Sequence, residues 1–229
     1  MSAHLASDYN LSVLASTLRK ARDGGSPLLT KLRLTGSFGG SVSWRAVSSL
    51  GAWFPELESL EMQDVQDEHY GDDCNPSISM LILRDKDYEV APMPRLRRLQ
   101  IGQLCGFTTN VTSAQLSLTL SGLIGACPVL EHLSIKHGMM WSGGSQPKPA
   151  QPLPNAGQCF QALPASLETL ALTEITLPSN AFEACSFPKL RSLQLRKVGE
   201  HGKDIAESLV AACPKLNTDL VKVDVAKLS

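Results

Sequence analysis

Cys127, His132 and His137 have the side-chain types and spacing closest to those of a nucleophilic catalytic site. A thiol paired with a histidine base also needs a third polar group to orient the base. Glu131 and Ser134 are the nearby candidates, but Glu131 and His132 are neighbours on a predicted strand and so point to opposite faces. We therefore expect no catalytic residue in this segment.

An acidic segment, residues 64–76, is the main candidate for a metal site. Its carboxylates and one histidine could hold a hard cation; they are Asp64, Asp67, Glu68, His69, Asp72 and Asp73. A calcium loop places oxygen ligands at alternate positions, with a central glycine and a distal glutamate. Because the segment lacks this order, we predict a solvated acidic loop and no metal site.

The six cysteines are widely spaced and include no C-x-x-C pair: Cys74, Cys105, Cys127, Cys159, Cys185 and Cys213. We expect reduced, mostly buried thiols rather than disulfides or zinc ligands. The glycines of Gly36–Gly40 are wrongly spaced for a P-loop, and the sequence has no G-x-G-x-x-G or G-x-S-x-G motif. The sequence thus predicts no cofactor and no enzyme. The alternative is an enzyme or small-ligand-binding protein on a repeat-like scaffold, which requires a deep pocket with perturbed pKa values.

The composition is that of an ordinary globular protein, with 43% hydrophobic and 19% charged residues. A formal net charge of -1 offers no basic stripe for nucleic acid. No stretch reaches the roughly 20 apolar residues of a membrane helix. The first residues also lack the basic and apolar regions of a secretory signal. We expect an intracellular protein, cytoplasmic or nuclear, that binds neither nucleic acid nor a membrane.

One phrase recurs along the chain: a proline, leucine two residues on, leucine at five, and leucine, isoleucine or methionine at seven. Regular copies begin at Pro27, Pro55, Pro94, Pro128 and Pro188. After Pro164 the same triplet is delayed by one residue. After Pro214 the phrase is degraded, and we expect an alternating edge strand through Val221, Val223 and Val225 in its place.

The phrase combines a helix exit with a strand. Its last two apolar residues point to one side of a strand, because side chains alternate between faces. Proline cannot continue a helix and so marks the exit. Between the phrases, apolar residues recur at helical spacing, as in Trp44, Val47, Leu50 and Phe54. This short alternation predicts parallel strands with right-handed helical crossovers.

The phrases at 127–135 and 187–195 resemble the irregular repeats of F-box/leucine-rich-repeat proteins. The resemblance implies an α/β fold, a right-handed leucine-rich repeat solenoid with a parallel concave sheet and convex helices. It covers nearly the whole chain, so we predict a single domain, 1–229, with loop insertions at 64–76 and 138–157. The asparagine usual three residues after the last leucine is absent. The predicted repeat strands lie near 29–34, 57–62, 96–101, 130–135, 167–172 and 190–195, with a degenerate one at 216–225.

Such a fold implies a protein–protein interaction module whose partner is another protein. The resemblance further implies the substrate-recognition segment of an F-box-type ubiquitin ligase subunit. No F-box is visible in the sequence, because residues 1–26 hold one predicted helix. The chain opens on a pattern like the helix of an earlier repeat, so we expect it to be a segment of a longer protein.

The residues between the core leucines should face outward and form the predicted binding face. They are Lys31, Arg33, Ser59, Glu61, Arg98, Gln100, His132, Ser134, Thr169, Ala171, Ser192 and Gln194. Arg95, Arg97 and Arg98 are the densest basic cluster, expected to be a solvated strand edge, with recognition of an acidic partner as the alternative. Trp141 is expected to fold back over a repeat, with anchoring of a partner as the alternative.

Overall fold

The computed structural model describes residues 2–5, 13–17, 20, 28–35, 44–63, 90–104, 120–137, 160–175, 177–183 and 185–224. The loop insertions predicted at 64–76 and 138–157 lie outside these residues. The acidic metal candidates, Trp141 and the glycines of 36–40 therefore lie outside them as well. The fold described below concerns the strands, the helices and the junctions between them.

The described residues form an α/β structure built on one eight-stranded sheet. The strands lie side by side in chain order, and every neighbouring pair is parallel. The strands are β1 (Ser2–Leu5), β2 (Lys31–Thr35), β3 (Ser59–Gln63), β4 (Arg98–Leu104), β5 (His132–His137), β6 (Thr169–Thr173), β7 (Ser192–Arg196) and β8 (Val221–Asp224). The helices are α1 (Trp44–Trp53) and α2 (Gly202–Ala212), with a 3-10 turn at Thr218–Leu220 and helical residues at 13–17 and 120–125.

The sheet register brings equivalent positions of the repeated phrase together. The fifth-position leucines form one row across the strands: Leu32, Leu60, Leu99, Leu133, Leu170 and Leu193. The seventh-position residues form a second row: Leu34, Met62, Ile101, Ile135, Leu172 and Leu195. None of these side chains is more than 2% exposed, and all belong to one hydrophobic cluster. Burial of these two rows is the main force holding the strands in register.

A repeated turn introduces the strands β3 to β8. The backbone amide of Leu57 donates to the carbonyl of Phe54, and Leu130 donates in the same way to Cys127. Pro55 and Pro128 occupy the second position of these four-residue turns, where the fixed φ angle of proline is favourable. After Pro164 the bond runs from Leu167 to Pro164 itself, which accounts for the one-residue delay in the sequence.

Each carbonyl just before a strand links two repeats. The Thr30 carbonyl accepts hydrogen bonds from the amides of Glu58 and Ser59, at 2.8 and 3.0 Å. The Glu58 carbonyl accepts from Arg97 and Arg98 in the next repeat. The pattern continues at the Arg97, Glu131 and Glu168 carbonyls. These bonds satisfy backbone groups at the strand entrances that would otherwise be left without partners beside the core.

The first strand of the sheet was not predicted from the sequence, whereas the last strand was. The chain was expected to open on a helix, but β1 precedes the first helical residues and pairs with β2. No copy of the repeated phrase precedes β1, so the phrase does not predict this strand. At the other end, the degraded phrase does slip: Val221 lies beside Leu193 and Val223 beside Leu195. Both valines are half-buried, since no described strand covers the far side of β8.

Candidate protein-binding face

The side of the sheet opposite the leucine rows carries all twelve residues that the sequence predicts to face outward. One row holds Lys31, Ser59, Arg98, His132, Thr169 and Ser192. The next row holds Arg33, Glu61, Gln100, Ser134, Ala171 and Gln194. None of them is buried. The register therefore gathers all of the predicted residues into one continuous surface, which we call the polar face.

The polar face extends beyond the residues predicted from the sequence. A third row contains Lys136, Thr173, Arg196 and Asp224, and Lys222 extends the second row onto β8. The repeated phrase ends at its seventh position and therefore contains no outward residue beyond the last leucine. The alternation of side chains continues to the end of each strand, and following it past the last leucine would have found these residues.

The polar face is held by contacts between neighbouring strands. Arg33 Nε lies 3.2 Å from Glu61 Oε1. His132 Nδ1 lies 3.1 Å from Thr169 Oγ1, so the imidazole is oriented by a side chain of the next strand. Each contact joins residues of two consecutive repeats. They order the polar face without burying it.

A charged cluster lies at the carboxyl-terminal ends of β5, β6 and β7. Lys197 Nζ lies 3.1 Å from Glu174 Oε1, and Lys136 Nζ lies 4.0 Å from the other oxygen of the same carboxylate. Glu174 and Lys197 occupy equivalent positions after β6 and β7, with φ angles of 58° and 51°. This left-handed conformation directs the Glu174 amide to the Arg196 carbonyl and the Lys197 amide to the Asp224 carbonyl.

The arginine cluster of 95–98 divides between two environments. Arg95 forms an ion pair with Glu56, and Arg97 Nη1 lies 3.0 Å from Glu131 Oε1. These two residues lie at the entrances to the strands and are balanced by neighbouring carboxylates. Arg98 alone stands in a row of the polar face, where it is exposed and forms no ion pair with a described residue.

The structure does not bring the candidate nucleophile and its candidate base together. Cys127 is fully buried in the core, where its thiol donates to the Leu123 carbonyl at 3.2 Å, whereas His132 lies on the polar face. Burial raises the pKa of the Cys127 thiol from 9.0 to about 12, and burial raises that of Cys185 to about 11. Thiols with raised pKa values are poor nucleophiles at neutral pH. The side chain of His137 lies outside the described residues.

Cys127, Cys185 and Cys213 are free thiols. Cys74, Cys105 and Cys159 lie outside the described residues. Within the described part of the chain, no group of three or more His, Cys, Asp or Glu side chains is arranged to hold a metal ion. Nor does any helix in that part have the length and apolar character needed to cross a membrane.

A cleft of about 270 Å³ lies away from the polar face, between α2 and the turns before β7. Its lining mixes hydroxyl, amide, carboxylate and apolar side chains: Ser179, Asn180, Phe182, Glu183, Ile205 and Ser208. The cleft shares no residue with the sequence-based candidates. It is also below the usual volume range of small-molecule sites, roughly 300–1,000 Å³.

Comparisons of the chain with protein-family models, with curated proteins and with solved structures found no match in any of the three.

Proposed function

We propose that this chain is a protein–protein interaction module built as a right-handed leucine-rich repeat solenoid. In this proposal the parallel sheet lines the concave side, the helices lie on the convex side, and the polar face binds another protein. Parallel strands joined by crossovers are almost always right-handed. The observation that carries the proposal is the alignment of polar, accessible side chains in rows over a continuous sheet.

The form of the polar face suits a protein better than a small molecule. Its side chains spread over seven strands instead of converging on one point, and they mix hydroxyls, amides and both charges. Small-molecule sites enclose their ligand in a concave pocket. The alternative, an enzyme or small-ligand-binding protein on the same scaffold, requires such a pocket, whereas the described cleft holds only about 270 Å³ and lies away from the polar face.

Affinity capture from native lysate tests the proposal. We expect the unaltered chain to retain a partner, and a variant with Arg33, Arg98 and His132 changed to alanine to lose it. A matched control changes Lys189, Lys203 and Lys215 to alanine, because these side chains are exposed but lie outside the polar face. Partners retained equally by both variants would show that another surface binds.

A narrower form of the proposal makes the chain the substrate-recognition segment of an F-box-type ubiquitin ligase subunit. Its support is the resemblance of the phrases at 127–135 and 187–195 to the repeats of that class. The test is a cell expressing the natural full-length protein. Ubiquitin chains on the captured partner should fall when Arg33, Arg98 and His132 are all changed to alanine. Unchanged ubiquitination, with capture lost, would retain the binding module and remove the ligase assignment.

A further inference from the structure

The polar face is strongly basic in a chain that is nearly neutral. Its charged residues are Lys31, Arg33, Glu61, Arg98, Lys136, Arg196, Lys222 and Asp224. Six are basic and two acidic, whereas the whole chain has a formal net charge of -1. Such an asymmetry raises the local potential over one surface and favours encounter with a partner of opposite sign.

Part of this charge is free to meet a partner. Arg33 pairs with Glu61, but Arg98, Arg196 and Lys222 are exposed and form no ion pair with any described residue. Lys136 is 4.0 Å from Glu174, which has a closer partner in Lys197 at 3.1 Å. Glu174 is thus shared between two lysines, so the three groups keep one net positive charge, and the Lys136 side chain is 53% exposed.

In the first two rows over β5, β6 and β7, four of the six positions carry short side chains, and the other two are His132 and Gln194. Ser134, Thr169, Ala171 and Ser192 lie on the neighbouring strands β5, β6 and β7, and we call them the short-chain patch. Side chains of this size let the backbone of another chain approach the sheet closely. Lys136 and Arg196 stand along one side of the patch in the third row, and Lys222 lies beyond it on β8.

The spacing of the two flanking cations fits an extended peptide. Lys136 and Arg196 lie in one row with β6 between them, since Thr173 of β6 is the register partner of both. Two inter-strand steps of about 4.8 Å separate their backbones by roughly 10 Å. Three residues of an extended polyproline II chain also span roughly 10 Å, at about 3.1 Å per residue, and its three residues per turn bring every third side chain back to the same side. A peptide crossing the strands can thus place every third side chain opposite a cation.

We propose that the polar face over β5–β8 binds an extended acidic segment of the partner protein. Carboxylates three residues apart meet Lys136 and Arg196, while the peptide backbone lies over the short-chain patch. This inference rests on the proposed function, because it names the kind of partner that the polar face takes. Single-stranded nucleic acid is the other polyanion to consider, but such sites combine cations with stacking aromatic rings. The described outward residues include no Phe, Tyr or Trp.

Fluorescence anisotropy with labelled peptides tests the inference. One twelve-residue peptide carries glutamate at every third position among serines and glycines, and a second has the same composition with its glutamates adjacent. We expect the spaced peptide to bind at least about fivefold more tightly. We also expect its affinity to fall as salt screens the charges. A single-stranded oligonucleotide of similar charge serves as the third probe and should bind more weakly than the spaced peptide.

Two double variants separate specific recognition from general charge. Lys136→Glu with Arg196→Glu should weaken binding of the spaced peptide by about tenfold or more. Lys189→Glu with Lys215→Glu changes the net charge equally at exposed sites away from the face, and should weaken it less than twofold. Circular dichroism checks that both variants stay folded. Equal losses in the two variants, equal binding of the two peptides, or tighter binding of the oligonucleotide would each overturn the inference.

A third variant distinguishes failure of this inference from failure of the proposed function. Ala171→Tyr places a neutral, bulky side chain on the short-chain patch and should block any protein that lies there. If Ala171→Tyr abolishes partner capture while the Lys136/Arg196 variant does not, the polar face binds protein but not through acidic side chains. If neither variant affects capture, the proposed binding face itself is wrong.

Discussion

The thiol of Cys127 shows how a residue that could do chemistry serves the core. It sits where the chain turns toward β5, and its hydrogen bond ends on the Leu123 carbonyl of the preceding helical residues. Burial disfavours the thiolate, so the pKa is raised to about 12. The sequence places Cys127 near two histidines, but only the strand alternation decides which side of the sheet each one occupies.

The raised pKa of Cys127 predicts a pH dependence of stability. The folded state keeps the thiol protonated, whereas the unfolded chain ionises near its ordinary pKa of 9.0. The contribution of the buried thiol to the free energy of unfolding is therefore complete below pH 9 and is lost as the pH rises toward about 12. Urea unfolding should show the stability difference between the native chain and Cys127→Ala shrinking over this range. A difference that stays constant from pH 8 to 11 would contradict the assignment.

Lys197 provides a second test at the scale of one residue. Its φ of 51° lies in the left-handed region, which costs a side-chain-bearing residue about 1–2 kcal/mol. Lys197→Gly relieves that cost but adds freedom to the unfolded chain, so we expect a gain of up to about 1 kcal/mol in the free energy of unfolding. Arg196→Gly, one residue earlier in an extended strand, should lower it instead. Equal destabilisation by both changes would speak against the left-handed conformation.

At the scale of elements, the repeated phrase predicts β2 to β7 because each part of it has a local physical role. Proline sets the turn, and the paired apolar positions set one face of the strand. The remaining elements lack this signal. β1, for example, has no preceding phrase. Strand alternation alone predicts that Lys136, Arg196 and Lys222 face outward. Their placement beside one another depends on the register between strands, which a single phrase does not contain.

The close packing of α1 against the next strand entrance gives a prediction for this scale. The Ala91 amide donates to the Ser48 carbonyl at 2.7 Å, and a methyl group on Gly51 would collide with the carbonyl oxygens of Ala91 and Pro92. Gly51→Ala should therefore lower the free energy of unfolding by about 1–3 kcal/mol. Gly122→Ala is the matched control, because among the described residues its methyl meets Val90 at an ordinary 3.5 Å. It should be neutral or stabilise by up to about 1 kcal/mol through helix propensity. Urea unfolding of the two variants measures both effects.

At the scale of the whole molecule, the sheet separates the hydrophobic core from the polar face. One side carries the leucine rows and one hydrophobic cluster, and the other carries polar residues in the same register. Substitutions on the inner side should therefore act on stability, whereas substitutions on the polar face should act on binding. This separation makes the binding proposal testable without unfolding the protein.

Site-specific photo-crosslinking tests the central claim most directly. A photoreactive amino acid is placed at Ser134 on the polar face, or at the exposed Glu207 on α2, and each chain is irradiated with the captured partner. We predict a covalent adduct from position 134 and none from position 207. An adduct from position 207 alone would contradict binding through the polar face.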